Sequence, residues 1–180
     1  MKKSEGWERY LHDGERIVWQ GQPDRRIFIF RPAELMLIPF SAIWFGFVIY
    51  IASAAPLTAE PSSAVLILFM LVGVYFLIGR FFVDRYIRTR TSYALTEKRA
   101  LILASAFKTR LRELPIPQTL QVGFDDAPRG SVRLGPQPEG SFMSNGLAVW
   151  HSDDGSFTFG EIENPKSVYD LVQEIKGWNE

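Results

Sequence analysis

Two histidines, two aspartate pairs and a spaced set of glycines are the residues here whose types suit chemistry. His12 and His151 stand far apart among different neighbours. Each reads as a surface or strand residue, because a catalytic base needs a partner within hydrogen-bond reach. Asp125-Asp126 and Asp153-Asp154 offer the oxygen ligands a hard cation takes. The second pair falls in a predicted hairpin turn, where aspartate is favoured for backbone reasons, and the turn reading is preferred over metal. Gly130, Gly135 and Gly140 lie five apart, but no lysine-serine pair or helix follows, so a phosphate loop is unsupported. No nucleophile elbow or paired-histidine zinc motif exists. The chain has no cysteine, which removes disulfides, thiolate metal ligands and cysteine nucleophiles. The expectation is a protein that is not an enzyme and takes no metal and no cofactor.

Charge is more informative. Residues 80–113 hold nine basic and three acidic side chains, whereas residues 114–180 hold four basic and ten acidic. One reading is a basic side held against anionic lipid, through Arg85, Arg88, Arg90, Lys98 and Arg99. The plainer reading is that the basic excess only fixes membrane orientation. Nucleic acid is an unsuitable partner, since the acidic half would repel phosphates. A second candidate is the loop Gly135 to Gly146, which carries Phe142 and Met143 among glycine, proline and serine. Apolar residues on such a loop serve as a partner contact, or else fold back on the domain.

The elements that would position these residues begin with two apolar blocks. Leu35 to Ala55 is 21 residues without a charge, and Ala64 to Gly79 is 16, extendable to Val83 with Arg80 interrupting. A 21-residue helix is roughly 31 Å long, about the hydrocarbon thickness of a bilayer. Arg80 can reach the headgroups while its stem stays in lipid. Pro32 and Pro61 suit a first helical turn, where no backbone N–H is needed. The connector, Pro56 to Glu60, is short enough to make the helices antiparallel neighbours. A buried core pair is a poor alternative at this length. A cleaved leader is a poor one too, because 34 mostly polar residues precede the first block. Seven basic residues from Lys2 to Arg31 precede the first block and six from Arg80 to Arg99 follow the apolar run, while the connector has none. Both termini are therefore expected inside. Neither block has an ionisable residue in its middle, so the pair reads as an anchor and not a transport path. Ala42, Gly46 and Gly73 are expected at one depth, letting the backbones approach.

Beyond Thr91 the pattern changes to short strands separated by turn residues. Strands are expected over Ser92–Leu95, Ala100–Ala104, Lys108–Leu114, Thr119–Phe124 and Ser131–Leu134, then around Leu147–Val149 and Phe157–Phe159. Asp154-Gly155 is a hairpin signal, since both residues tolerate positive φ. A terminal helix starts at Asn164-Pro165 and stops near Gly177, with Val168, Leu171, Val172 and Ile175 as one stripe. Upstream, Ile17 and Trp19 alternate with Arg16 and Val18 as a short strand that docks on the later domain with Trp19 at least half buried.

Three segments carry a resemblance. Tyr93-Ala94-Leu95-Thr96 followed by Arg99 and an apolar strand resembles the opening hairpin of bacterial pleckstrin-homology-like (PH-like) domains. Ile162-Glu163-Asn164-Pro165-Lys166-Ser167-Val168-Tyr169 is similar to their entry into the terminal helix. Gly14-Glu15-Arg16-Ile17-Val18-Trp19-Gln20-Gly21-Gln22-Pro23 resembles the segment before the membrane hairpin in membrane-bound members. Many members have asparagine where this chain has Glu97. The resemblance implies a bent β-barrel capped by a helix, and a binding or assembly role.

The chain is thus expected to be α+β. Residues 1–31 form an N-terminal segment with a short strand, and 32–90 a two-helix transmembrane hairpin with spans near 35–55 and 64–83. Residues 91–180 form a small PH-like barrel or sandwich with a C-terminal helix. The expected setting is a bacterial inner membrane, multi-pass, with both ends cytoplasmic. The expected partners are the lipid bilayer and another membrane or cytoplasmic protein, whose assembly it scaffolds or assists. The rivals are a sensor of anionic headgroups and an enzyme with an unrecognised site.

Overall fold

A computed structural model describes residues 6–26, 34–54, 61–136 and 157–178. Its elements in chain order are β1 (Ile17–Gly21), α1 (Glu34–Ala54), α2 (Pro61–Val74), α3 (Arg80–Thr89), β2 (Thr91–Thr96), β3 (Arg99–Ala104), β4 (Arg110–Pro115), β5 (Val122–Phe124), β6 (Arg129–Leu134), β7 (Phe157–Glu163) and α4 (Pro165–Trp178). The protein is α+β with a C-terminal helix. Contacts divide the described residues into two units, 6–25, 86–136 and 157–178 in one, and 26, 34–54 and 61–85 in the other.

In the first unit, four antiparallel strands run in the order β1-β2-β3-β4, and three in the order β5-β6-β7. The N-terminal strand does dock on the later domain. β1 pairs with β2, placing Trp19 opposite Leu95 and Gly21 opposite Tyr93. A bulge between Ile17 and Trp19 breaks the simple alternation. Val18 and Trp19 therefore both pack on the main core, while Ile17 joins a second cluster. That second cluster explains why β3 is apolar on both faces. Ala100 and Ile102 enter the main core, and Leu101 lies under Trp7 of the N-terminal segment on the other side.

The main core closes on α4. Val168, Val172 and Ile175 are fully buried, each worth about 1.5–3 kcal/mol relative to exposure. Leu171, expected in the same stripe, is only half-buried at its edge, and Pro165 joins the buried set. Gly177, expected to stop the helix, lies inside it. The helix opens with Asn164 at φ +53, its carbonyl accepting from the Ser167 N–H at 3.1 Å. The strand expected over 119–124 is shorter, because Leu120 is in a turn closed onto Pro117. Ile116, between two prolines, is a buried core residue that the strand pattern did not single out.

In the second unit, α1 and α2 pack together. Trp44 stacks on Phe69 at 5.7 Å, and a Cβ at Gly73 would sit 2.7 Å from the Phe45 ring. The small residues do not act as expected. Gly73 makes room for a side chain and not for a backbone, and Gly46 has nothing within 4 Å. α2 begins at Pro61 and continues through a π turn, Tyr75–Gly79, into α3. Ala64–Thr89, 26 residues containing an 18-residue window of mean hydropathy 2.4, is long and apolar enough to cross a membrane. Ile38–Ala54 is a shorter apolar helix. Pro39 interrupts the hydrogen-bond ladder of α1 in its second turn.

Candidate functional site

Of the five basic residues suggested as a lipid-binding face, two are engaged inside the domain and three are exposed. Arg99 is used internally. Its Nε and Nη2 donate to the two oxygens of Glu15 at 2.9 and 2.7 Å, its Nη1 to Glu113, and Nη2 also to the Tyr10 carbonyl. Only 3% of the Glu15 side chain is exposed. The Arg99 fork holds its carboxyl at about 2, well below the usual 4.5, with help from the His12 N–H and the Thr96 hydroxyl, against its burial. The same pairing raises the Arg99 guanidinium further. Thr96 also accepts from the Arg99 N–H at 3.0 Å, so this threonine and arginine lock the β2–β3 turn to the N-terminal segment. The segment carrying Glu15 and the hairpin carrying Thr96 and Arg99 are thus one structural device. His12 sits at its rim with 78% of its side chain exposed.

Arg88 is also structural, buried and donating to the Asp24 carbonyl at 2.6 Å. Arg85, Arg90 and Lys98 are exposed. Arg90 and Lys98 lie beyond opposite ends of β2, roughly 20 Å apart along the strand. Phe142, Met143, His151, Asp153, the Asp154-Gly155 turn and the Leu147–Val149 strand lie outside the described residues. Asp125 and Asp126 are exposed. Among the described residues no three histidine, aspartate or glutamate side chains converge on a metal position.

A cleft of about 560 Å³ lies in the first unit. It is lined by the last three residues of β1 and the last three of β7, Trp19 to Gly21 and Glu161 to Glu163. Both are edge strands of their sheets. Gly21 leaves room here for the Trp19 ring folded across it, which an added Cβ would force to shift. Trp19 in turn rests on Phe159, ring centres 5.5 Å apart.

The polar wall is built on Asp24. Its carboxylate pairs with Arg129 at 2.8 Å, and Arg129 reaches on to Glu163 at 3.0 Å. The Asp24 N–H donates to the Glu161 carbonyl at 2.9 Å, tying the exit of β1 to the end of β7. Glu161 and Asn164, both at φ +53, are the positive-φ non-glycine residues of the described chain, and both line the cleft. A glutamate in that conformation is strained, and strain of this kind gathers at binding sites. Sequence reasoning named Trp19 and Asn164 only as structural residues and passed over Asp24, Arg129 and Glu161. No local motif marks them, because their partners come from separate strands.

Comparison with protein-family models, with curated proteins and with solved structures gives no match. The class of protein is therefore set by the molecule itself: an α+β domain with a cleft between two edge strands, in a chain that also carries a membrane-length apolar helix.

Proposed function

We propose that the protein is a membrane-anchored binding module of PH-like architecture, without a catalytic role. It would hold an extended segment of another protein in the cleft between β1 and β7, as a scaffold for membrane-protein assembly. The observation that carries the binding reading is that both sheets end, at edge strands, on one cleft with a strained rim. Edge strands have main-chain donors and acceptors for an added strand, and alternate side-chain positions supply specificity. The volume is in the range of ligand sites. The Trp19 ring offers apolar surface, and Gln20, Gln22 and Arg25 offer adaptable hydrogen bonds.

The anchoring is a two-span hairpin with both termini cytoplasmic. β1 and β2 are paired, so they share one side of any membrane. The chain between them must then cross an even number of times. If Ala64–Thr89 makes one crossing, α1 is the other helix among the described residues able to return it. The exposed Phe40, Ile43, Phe47 and Leu71 suit lipid. The basic residues flanking the pair and missing from the connector support an inside domain.

A photoreactive residue at Gln20 tests the site in intact cells, with one at Asp170 on the exposed face of α4 as reference. A discrete protein adduct from Gln20 but not from Asp170 is expected. Equal adducts from both positions, or none from Gln20, would remove the cleft as a binding site.

A further inference from the structure

We infer that the β3–β4 turn is a membrane-interface contact, with Phe107 entering the headgroup region of an anionic leaflet beside Tyr86. This rests on the membrane-anchored reading and adds a lipid-facing surface to it, separate from the cleft.

Phe107 is 70% exposed, an unusual place for a phenylalanine at the tip of a turn. It is held there by structure. Its ring centre lies 5.9 Å from that of Tyr86, and the Tyr86 hydroxyl donates to the Ala106 carbonyl at 3.2 Å. The Ser105 N–H donates to the Arg90 carbonyl at 3.0 Å, fixing the base of the turn. Arg90 lies over the Tyr86 ring, 4.4 Å from its centre. Two aromatic rings and an arginine are thus assembled on the surface, with Lys108 exposed next to them.

A lone exposed aromatic residue needs no explanation. Position and charge supply one here. Tyr86 belongs to the last turns of the helix Ala64–Thr89. The stretch Ala64–Val83 is 20 residues, enough to cross the hydrocarbon of a bilayer. Tyr86 then falls just past its boundary, where tyrosine and tryptophan form interfacial belts. Phe107, in contact with Tyr86, is at that depth too. Between Asp84 and Glu97, and again between Glu97 and Glu113, there is no acidic residue, while Arg85, Arg90, Lys108, Arg110 and Arg112 fall in those stretches. An aromatic tip in a basic surround suits anionic lipid. An acidic protein partner would match the charge but not the depth.

The chain has no cysteine, so one probe can be placed at will. The full-length Thr109→Cys protein, labelled with an environment-sensitive fluorophore, is placed in nanodiscs of phosphatidylcholine with or without phosphatidylglycerol. Lipids spin-labelled near the headgroup serve as quenchers. Blue-shifted emission and severalfold stronger quenching than at labelled Asp170→Cys are expected, increased by phosphatidylglycerol. Phe107→Ser should abolish the shift, and Arg90→Gln with Lys108→Gln should remove its dependence on phosphatidylglycerol. Quenching at Thr109→Cys no greater than at Asp170→Cys overturns the inference. A label at Leu71→Cys, read with lipids spin-labelled deep in the acyl chains, separates the two failures. Quenching there with none at Thr109→Cys leaves the anchor standing and removes the contact, whereas no quenching at either removes both.

Discussion

Gly21 and Tyr93 face each other across the antiparallel pair of β1 and β2, although α1, α2 and α3 all lie between them in sequence. The helices are therefore an insertion into one β-ladder and not a leader before a separate domain. The expected division at residue 91 cuts through that ladder. β1 has to be made before the helices and can complete the sheet only after them.

The Glu15–Arg99 pair makes stability depend on acid. Glu15 has its carboxyl at about 2 in the folded chain against 4.5 ordinarily. A lowered folded value means the contribution is fully present above the unfolded value and is lost as pH falls through the folded one. Stability should thus decline between about pH 4.5 and pH 2, by about 3 kcal/mol from this group. Glu15→Gln should be destabilised by about that much at neutral pH, with Arg99 left short of a buried partner. Its own acid sensitivity in this window should be reduced. Chemical unfolding at several pH values, in detergent, measures both.

Gly21→Val should disturb the cleft without dissolving the domain. The added side chain displaces the Trp19 ring from its place over the backbone. Tryptophan emission should shift to the red, and the Gln20 adduct should be lost. A variant with unchanged emission and an unchanged adduct would show that Trp19 does not shape the site.

Burial along α4 ranks two substitutions. Val172 is fully buried and Leu171 half-buried, so Val172→Asp should cost several kcal/mol more than a surface change, and more than Leu171→Asp. Limited proteolysis of the membrane-bound protein should cut Val172→Asp first, between β4 and α4. The opposite order would mean that the stripe faces a partner.

Much of this fold was legible in the chain, and the reasons are physical. Alternation and turn residues placed most strands, and the stripe from Val168 to Ile175 gave the terminal helix, because each is a local pattern. Ile17 and Trp19 hinted at a strand, but the bulge that turns them to opposite faces leaves no local mark. Arg99 looked like a surface cation because charge is visible in sequence and its partner Glu15, on a distant segment, is not identified there. The cleft was illegible for the same reason. Asp24, Arg129 and Glu161 come from three places in the chain and meet only when the edges of two sheets do.

The crossing number is open to one direct measurement. Single cysteines at Asp13, Thr58 and Asp170, in a chain with no other cysteine, are treated with a membrane-impermeant maleimide in intact cells and again after permeabilisation. Two crossings require Thr58→Cys to react in intact cells, and Asp13→Cys and Asp170→Cys to react only after permeabilisation. Reaction of Asp13→Cys and Asp170→Cys from opposite sides, or of all three from the same side, would contradict a hairpin inserted between β1 and β2.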